Sequence, residues 1–394
     1  MSDTTTRWIH TYEAVISFLG GALNSGVSRS PTEAARLQTI LDGYLHSAAS
    51  TNVDAIVHSL EYRKTLLEIS ASLGLASDSN LRTSLRTDDE RIAALLLSIF
   101  DSNDDTATVL DLEGDPAQCF LDVVQDTLDR GFLMEPEHSR MARRMIRKLS
   151  ESCDKFPSSL FITGVTGREE DPTFGGGYGD IYRASYNNAP VALKRLRYFI
   201  RGSELRRIRL KFCREALLWR DLHHPHILPF LGIDQSTFSS TLCMVSPWME
   251  HGTVMRYLKE HGHADVDKLL YEIAQGLQYL HSRHIVHGDL RGNNILITQD
   301  WRACLADFGL SVVSNATSSM STNRGGSVYW MAPELLDSER FGCEFTRTPA
   351  TDVYAFGCVC LEVLDSFFSA GMSCGSFDRV CPVVHGKTSV CRPA

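Results

Sequence analysis

Two short polar stretches in the second half of the chain constrain its fold more than any other feature. Asp289, Asn294 and Asp307 follow one another at intervals of five and thirteen residues. Apolar runs lie on either side of them, which predicts that each polar group sits on a short loop between buried segments. Their joint spacing favours one common site over three unrelated loop positions.

The chemistry of these three groups suits a metal-bound phosphate. Magnesium prefers hard oxygen ligands and keeps much of its water, so one carboxylate and one amide oxygen are enough to bind it. The remaining carboxylate is then free to accept a proton from an incoming hydroxyl. These are the roles that phosphoryl transfer requires, because in that reaction the protein mainly positions groups and neutralises charge.

The same stretches carry a family resemblance. Residues 286–294 read VHGDLRGNN and residues 306–309 read ADFG, and together they resemble the catalytic loop and the Asp-Phe-Gly motif of the eukaryotic protein kinases. The resemblance implies that Asp289 accepts the substrate proton and that Asn294 and Asp307 hold Mg²⁺. It also implies a catalytic role for Arg291, which stands where serine/threonine kinases usually have lysine.

A glycine-rich stretch lies upstream, where residues 174–182 read FGGGYGDIY. Glycines let backbone N–H groups approach phosphate oxygens with no Cβ in the way. The stretch resembles the kinase glycine-rich loop, with Phe174 in place of its first glycine. Extra glycines leave the register open by one residue. The nucleotide contacts that the resemblance implies here are Gly175, Gly176, Gly177, Gly179 and Ile181.

A lysine and a glutamate follow at the spacing of an ion pair in the same family. Lys194 ends an apolar strand, where a cation needs a counter-charge. Glu215 lies on the inward face of the next predicted helix. It is either an ordinary surface glutamate or, as the resemblance implies, the partner of Lys194 that helps hold the α- and β-phosphates. Ala192 joins the implied nucleotide contacts.

Residues 242–252 read LCMVSPWMEHG and resemble the last strand of the nucleotide-binding lobe and its hinge. The resemblance implies that Ser246 is the gatekeeper residue. It also implies that the Pro247 carbonyl and the Met249 N–H meet the edge of the adenine. Proline is tolerated in this role because only its carbonyl is needed.

One departure from the family leads to a prediction about regulation. The catalytic loop has Gly288 where most kinases carry an arginine that pairs with a phosphorylated residue of the activation segment. Without that arginine, activity is predicted not to depend on phosphorylation of this segment. The prediction holds despite the many hydroxyl groups in residues 314–322.

Two further stretches extend the resemblance. Residues 326–334 read GSVYWMAPE and residues 351–357 read TDVYAFG. They resemble the end of the activation segment, with Ser327 at a position that serine/threonine kinases fill with threonine, and the following helix, whose Asp352 braces the catalytic loop. The sequences of these two stretches resemble the tyrosine-kinase-like branch of the family, and most of all its fungal members. Most of that branch phosphorylates serine or threonine.

Residues 1–155 are predicted to form amphipathic helices of unknown function. Helix-start signatures begin at Ser30-Pro31, Thr87, Asp115 and Pro136, each followed by apolar residues at helical spacing. A basic cluster suits either a solvated helix face, which we favour, or a contact with an acidic partner. The cluster comprises Arg140, Arg143, Arg144, Arg147 and Lys148.

Composition limits the broad class of protein. The 394 residues are 43% hydrophobic and 22% charged, with a net charge of −9, which is ordinary for a soluble protein and argues against a nucleic-acid partner. No apolar run is long enough for a membrane span, and the start lacks the basic region of a signal peptide. We therefore expect a cytoplasmic protein, with a nuclear location left open. The scattered cysteines predict reduced thiols, and a zinc site is disfavoured at Cys374, Cys381, His385 and Cys391.

These observations predict an α+β protein with a helical N-terminal region and a bilobal kinase-like fold. The expected parts are the helical region 1–155, a kinase domain 156–364 with lobes 156–249 and 250–364, and an irregular tail 365–394. The helical lobe is expected to be incomplete, because the resemblance fails after Leu364. The predicted function is transfer of phosphate from ATP, with Mg²⁺, to serine or threonine of a protein substrate, with tyrosine specificity left open. The alternative is a catalytically impaired, nucleotide-binding regulatory protein.

Overall fold

The structure is a computed structural model in which the described residues form two compact units. The first unit comprises residues up to Val165, Leu196–Leu217 and Gly232–Met244, and the second comprises Thr166–Arg195, Leu218–Leu231 and the chain from Val245 onward. The described residues are 11–26, 30–46, 49, 51–176, 179–196, 203–238, 241–261, 265–308, 328–342 and 344–371.

Helices make up most of the first unit and the later part of the second. The described helices are α1 (Glu13–Asn24), α2 (Pro31–His46), α3 (Asn52–Ser72), α4 (Ser79–Asp101), α5 (Asn103–Leu110), α6 (Gly114–Asp129), α7 (Pro136–Cys153), α8 (Ser203–Arg220), α9 (Val254–Glu260), α10 (Val266–Ser282), α11 (Pro333–Leu336) and α12 (Pro349–Gly371).

Short strands separate the helical regions, so the predicted α+β class is confirmed. The described strands are β1 (Phe161–Ile162), β2 (Phe174–Gly176), β3 (Gly179–Tyr186), β4 (Ala189–Leu196), β5 (Gly232–Asp234), β6 (Cys243–Pro247), β7 (Ile295–Ile297) and β8 (Ala303–Leu305).

The first unit has one apolar core, to which α1 to α7 all contribute. Leu19 of α1, Ile56 of α3, Leu96 of α4 and Phe120 of α6 are fully buried there. The two residues of β1 pair in parallel with β5.

Helix starts in the first unit follow the sequence signals in part. Helices α2 and α7 begin at the predicted prolines, and α6 begins one residue before Asp115. The start expected at Thr87 is wrong, because α4 runs through it and is capped instead by Asp78, whose carboxylate accepts the Asn80 N–H.

The acidic residues that suggested this start have tertiary partners. The carboxylate of Asp88 accepts the N–H groups of Ala14 and Val15 at 3.1 and 2.9 Å and so caps α1. The neighbouring Asp89 forms ion pairs with Arg63 and Arg130. A local signature therefore did not reveal that these acids serve other helices.

The second unit places a small sheet before a set of helices. Within this unit the strands lie in the order β6-β4-β3-β2, and β2 and β3 form an antiparallel hairpin. Further along the chain, β7 and β8 form a second hairpin. Helices α9 and α10 precede this second hairpin, and α11 and α12 follow the residues that the structure leaves undescribed.

The last described helix is longer than the sequence suggested. Helix α12 continues to Gly371, so the expected irregular chain does not begin directly after Leu364. On its outer side Val353 is 59% exposed and Leu361 is 61% exposed. None of the described helices combines the length and apolar character that crossing a bilayer requires.

Candidate active site

The β7–β8 hairpin brings two of the three organising side chains together. Ile295 of β7 pairs with Leu305 of β8, so Asn294, just before β7, lies at the same end as Asp307, just after β8. The Ala306 N–H donates to the Asn294 carbonyl at 2.8 Å. Asp307 has a φ of 56°, a left-handed conformation that non-glycine residues adopt uncommonly.

The third side chain lies on the loop that leads into the same hairpin. The Asn294 amide nitrogen donates to the Asp289 carbonyl at 2.7 Å and to its carboxylate at 3.0 Å. The Arg291 guanidinium lies 3.5 Å from that carboxylate. The carboxylate of Asp289 is thus oriented by one amide and one cation, both from its own loop.

A buried carboxylate from α12 fixes the start of this loop. Asp352 is 1% exposed and accepts the backbone N–H groups of His287 and Gly288 at 2.7 and 2.8 Å. It also contacts the His281 Nε2 atom of α10 at 2.9 Å. Asp352 therefore determines where the backbone before Asp289 runs.

A second α12 carboxylate holds the middle of the loop. Glu362 accepts the Gly292 N–H at 2.9 Å and the Trp330 indole N–H at 3.0 Å. A Cβ at residue 292 would lie 2.5 Å from the Met255 sulfur and 2.9 Å from the Glu362 carboxylate. A larger residue at position 292 would therefore have to displace the Met255 side chain and the Glu362 carboxylate.

Lys194 reaches the same cluster from strand β4. Its ammonium group lies 2.5 Å from the Asp307 carboxylate, with 14% and 33% of the two side chains exposed. Burial alone would raise the pKa of Asp307, but the charge and hydrogen bond of Lys194 outweigh burial and hold the pKa below its ordinary value. Asp307 is therefore ionised at neutral pH.

This ion pair predicts a pH-dependent stability. Because the pKa of Asp307 is lowered in the folded state, its contribution to stability is complete above the ordinary aspartate value of about 4 and is lost as the pH falls through the folded value. We expect wild type to be more stable than Lys194→Met at pH 6, and the difference to shrink on acidification. Denaturant unfolding of both proteins between pH 6 and pH 3 measures it.

A lysine away from the site provides the control for that experiment. Lys259 is exposed on α9, so Lys259→Met is expected to change stability by an amount that varies little with pH. An advantage of wild type over Lys194→Met that stays constant across the range would contradict the proposed pairing.

The Phe308 side chain, next to Asp307, contacts both helix α8 and the catalytic loop. Its ring packs edge-on against Trp219 at 5.6 Å and against His287 at 6.3 Å. The Trp219 indole N–H donates to the Leu228 carbonyl at 2.6 Å. Burial lowers the pKa of His287, and nearby carboxylates only partly offset this. His287 therefore packs as a neutral ring at neutral pH.

The glycine-rich stretch forms the paired ends of β2 and β3. Gly175 pairs with Asp180, and Gly176 pairs with Gly179 across the β2–β3 turn. Gly177 lies outside the described residues. Ile181 of β3 is half-buried and pairs with Phe174.

The predicted hinge follows β6. Ser246 is buried within the strand, and Pro247 ends it. The Met249 carbonyl accepts the Gly252 N–H at 3.0 Å. Ala192 lies on β4, beside β6 in the sheet, and is half-buried. The interactions of these residues with a purine stay predictions.

Glu215 is half-buried on α8, one turn before Trp219. Its pairing with Lys194 stays a prediction. Several other sequence positions lie outside the described residues, so their expected roles also stay predictions: Gly309, residues 314–322, Ser327 and the cysteine-containing tail.

The donor set fits a magnesium ion. The Asn294 amide nitrogen is used by Asp289, which leaves its oxygen as the atom that can meet a metal. Asp307 supplies an ionised, partly exposed carboxylate. One amide oxygen and one carboxylate, completed by water and phosphate oxygens, is a set that magnesium accepts.

Sequence reasoning missed His281 and Glu362. His281 lies 71 residues from Asp352, and Glu362 lies 70 residues from Gly292. A charged residue at an inward position of an otherwise apolar helix was the available signal for Glu362. The signal did not identify its partners.

A protein-family model matches the part of the chain that contains the candidate active site. The model of the family described as protein tyrosine and serine/threonine kinase matches residues 173–373. The matched stretch includes all of the organising residues, from the glycine-rich hairpin to Glu362.

Individual relatives each match a little less than half of the chain. Cell division control protein 7 of Schizosaccharomyces pombe is 34% identical over 196 residues, which cover 48% of this chain and 17% of that protein. The serine/threonine/tyrosine-protein kinase HT1 of Arabidopsis thaliana is 31% identical, covering 48% and 47%. The dual specificity protein kinase zakA of Dictyostelium discoideum is 32% identical, covering 46% and 25%. The chain thus spans less than half the length of each of these relatives.

Proposed function

The chain belongs to the protein tyrosine and serine/threonine kinase family, and from that premise we propose that it transfers the γ-phosphoryl group of ATP to protein hydroxyl groups, with serine and threonine as the preferred acceptors. The observation that carries the proposal is the cluster in the second unit. There Lys194 contacts Asp307, the backbone beside Asp307 contacts Asn294, and Asn294 contacts Asp289.

Each residue of the cluster has a role that its contacts support. Asp289 accepts the proton of the substrate hydroxyl, and Asn294 and Arg291 orient its carboxylate. Lys194 binds phosphate oxygens, and Glu215 supports it from α8. When bound by Asn294 and Asp307, Mg²⁺ supplies charge neutralisation to the phosphates.

The nucleotide is bound by the sheet of the second unit in this proposal. Backbone N–H groups of the glycine-rich hairpin contact phosphates, because glycines there leave the backbone accessible. The base lies against the residues that follow β6 and those beside them on β3 and β4. The proposed nucleotide contacts are Gly175, Gly176, Gly177, Gly179, Ile181, Ala192, Ser246, Pro247 and Met249.

The finer assignments extend this proposal. Residues 156–364 form the kinase domain. The sequence Trp330-Met331-Ala332-Pro333-Glu334 supports its assignment to the tyrosine-kinase-like branch and, within that branch, to the fungal members. Residues 1–155 form a helical region, for which we propose a protein partner. We place the protein in the cytoplasm, with a protein as its substrate.

Two measurements test the proposal. ATP with Mg²⁺ is expected to raise the thermal unfolding midpoint of wild type, and Lys194→Met is expected to abolish the shift, because binding to the folded state stabilises it. Labelled phosphate is expected to pass from ATP to a generic acceptor protein. A thermal shift without phosphate transfer would support the alternative of an impaired nucleotide-binding regulator. The absence of both the thermal shift and phosphate transfer would refute the proposal.

Regulation follows from the catalytic loop. Gly288 donates its N–H to Asp352 at 2.8 Å and has no cationic side chain with which to bind a phosphorylated segment. We therefore expect phosphatase treatment of the purified protein to leave the rate of phosphate transfer unchanged. The rate is measured before and after treatment and again after removal of the phosphatase. Loss of activity that returns on rephosphorylation would contradict this.

A further inference from the structure

The first residue of the glycine-rich hairpin is a large aromatic side chain. Phe174 begins β2, pairs with Ile181 of β3 and is 52% exposed. It lies directly before the glycines that are proposed to contact phosphate. A half-exposed phenyl ring contributes nothing to the core, so its neighbours indicate its role.

The Phe174 ring contacts a tryptophan of the hinge, Trp248. The Trp248 ring is stacked with the Phe174 ring, with centroids 6.1 Å apart and an angle of 21° between the planes. The Trp248 N–H donates to the Pro190 carbonyl at 3.0 Å. This hydrogen bond joins the hinge backbone to the start of β4, beside which the indole meets the phenyl ring.

A second link joins the same two segments. Arg183 lies on β3, the other strand of the glycine-rich hairpin, and its guanidinium lies 5.2 Å from the centroid of the Trp248 ring. Its terminal nitrogen lies 2.5 Å from the carboxylate of Glu250, two residues after Trp248. Both strands of the hairpin therefore contact the hinge through side chains.

We propose that Phe174 and Trp248 form an aromatic clasp that keeps the glycine-rich hairpin close to the hinge and so slows the release of bound nucleotide. This inference rests on the proposed function, because the hairpin and the hinge are the two proposed walls around ATP. Phe174 and Trp248 are then positioning residues for the nucleotide, and Arg183 with Glu250 supports them.

In this proposal, bound nucleotide leaves only when the glycine-rich hairpin separates from the hinge. Moving β2 and β3 away from the hinge breaks the aromatic stack, and offset-stacked rings attract each other beyond their shared burial. Arg183 must also leave the face of Trp248, which removes a cation–π contact. An aromatic residue in place of the first glycine thus restricts the motion of the hairpin and slows the dissociation of the nucleotide.

The test measures nucleotide dissociation rather than catalysis. A fluorescent N-methylanthraniloyl ADP is bound to the full chain with Mg²⁺ and displaced by excess ADP in a stopped-flow instrument. We expect Phe174→Leu and Trp248→Leu each to raise the dissociation rate about 3- to 10-fold. The double variant is expected to dissociate no faster than the faster single variant, because both remove the same contact.

Two variants control for unrelated effects. Phe341 is also 52% exposed and lies in a turn after α11, so Phe341→Leu is expected to leave the dissociation rate unchanged. Phe174→Tyr keeps an aromatic ring and is expected to retain slow release. Thermal unfolding of each variant verifies that the fold is retained.

The outcomes separate this inference from the proposed function. Single variants with wild-type dissociation rates, or effects that multiply in the double variant, would overturn the clasp while leaving nucleotide binding intact. Wild type that binds no fluorescent nucleotide would overturn both. A Phe174→Tyr variant that releases nucleotide as fast as Phe174→Leu would also refute a role for the ring.

Discussion

Asp289→Asn is expected to lower kcat for phosphate transfer by about 10²- to 10⁴-fold, the usual contribution of a positioned general base. An amide is close in size to a carboxylate and can still accept a hydrogen bond from Asn294, which lies 3.0 Å away. It cannot accept a proton from the substrate hydroxyl. The loss is therefore expected in the chemical step, with the loop geometry retained.

The readout that identifies this role is the separation of binding from turnover. We expect the thermal shift of Asp289→Asn with ATP and Mg²⁺ to equal that of wild type, because Asp289 faces the hydroxyl rather than the nucleotide in the proposed mechanism. Asp337 is exposed and accepts the Arg340 N–H at 3.1 Å, so Asp337→Asn is the matched control and is expected to keep full activity. Wild-type turnover by Asp289→Asn would remove Asp289 from the mechanism.

Asp352→Ala is expected to damage both stability and activity. The substitution leaves the N–H groups of His287 and Gly288 without their acceptor, and His281 loses its partner. Each buried donor left unsatisfied costs about 1–3 kcal/mol, so we expect the free energy of unfolding to fall by about 3–5 kcal/mol. The catalytic loop also loses its anchor, and a displacement of about 1 Å is expected to reduce kcat about 100-fold.

Denaturant unfolding and transfer kinetics measure these two effects in the same preparations. Asp352→Asn retains one acceptor oxygen and is expected to fall between wild type and Asp352→Ala in both measurements. Asp337→Ala removes one exposed acceptor and serves as the control, with a small change in stability and none in kcat. Unchanged kcat in a folded Asp352→Ala protein would show that the loop keeps its position without this carboxylate.

The local motifs were the part of the site that sequence alone predicted well. Asn294 and Asp307 are separated by a short β7–β8 hairpin, and antiparallel pairing over a few residues is enough to bring them together. The glycine-rich stretch, which the sequence predicted to be a loop between strand-like segments, lies at the paired ends of β2 and β3. In both cases the relevant contacts lie within a short length of chain, where residue type and spacing determine the geometry.

The sequence predicted less well where a residue contacts an element that is distant along the chain. Asp88 and Asp89 looked like the start of a helix, yet they lie inside α4 and serve α1, Arg63 and Arg130. Their residue types fit either role, and the local pattern contains no information about which helix packs beside them.

The sequence by itself determined the order of the segments, the α+β class and the residue types that the chemistry requires, and through the family resemblance it also indicated that Asp352 braces the catalytic loop. Only the tertiary structure decided that Glu362 of α12 holds the loop after Asp289, and that Phe174 is stacked with Trp248. The physical reason is that spacing and periodicity govern contacts between near neighbours. A hydrogen bond or ring contact across 65 or more residues exists only once packing has brought the two segments together.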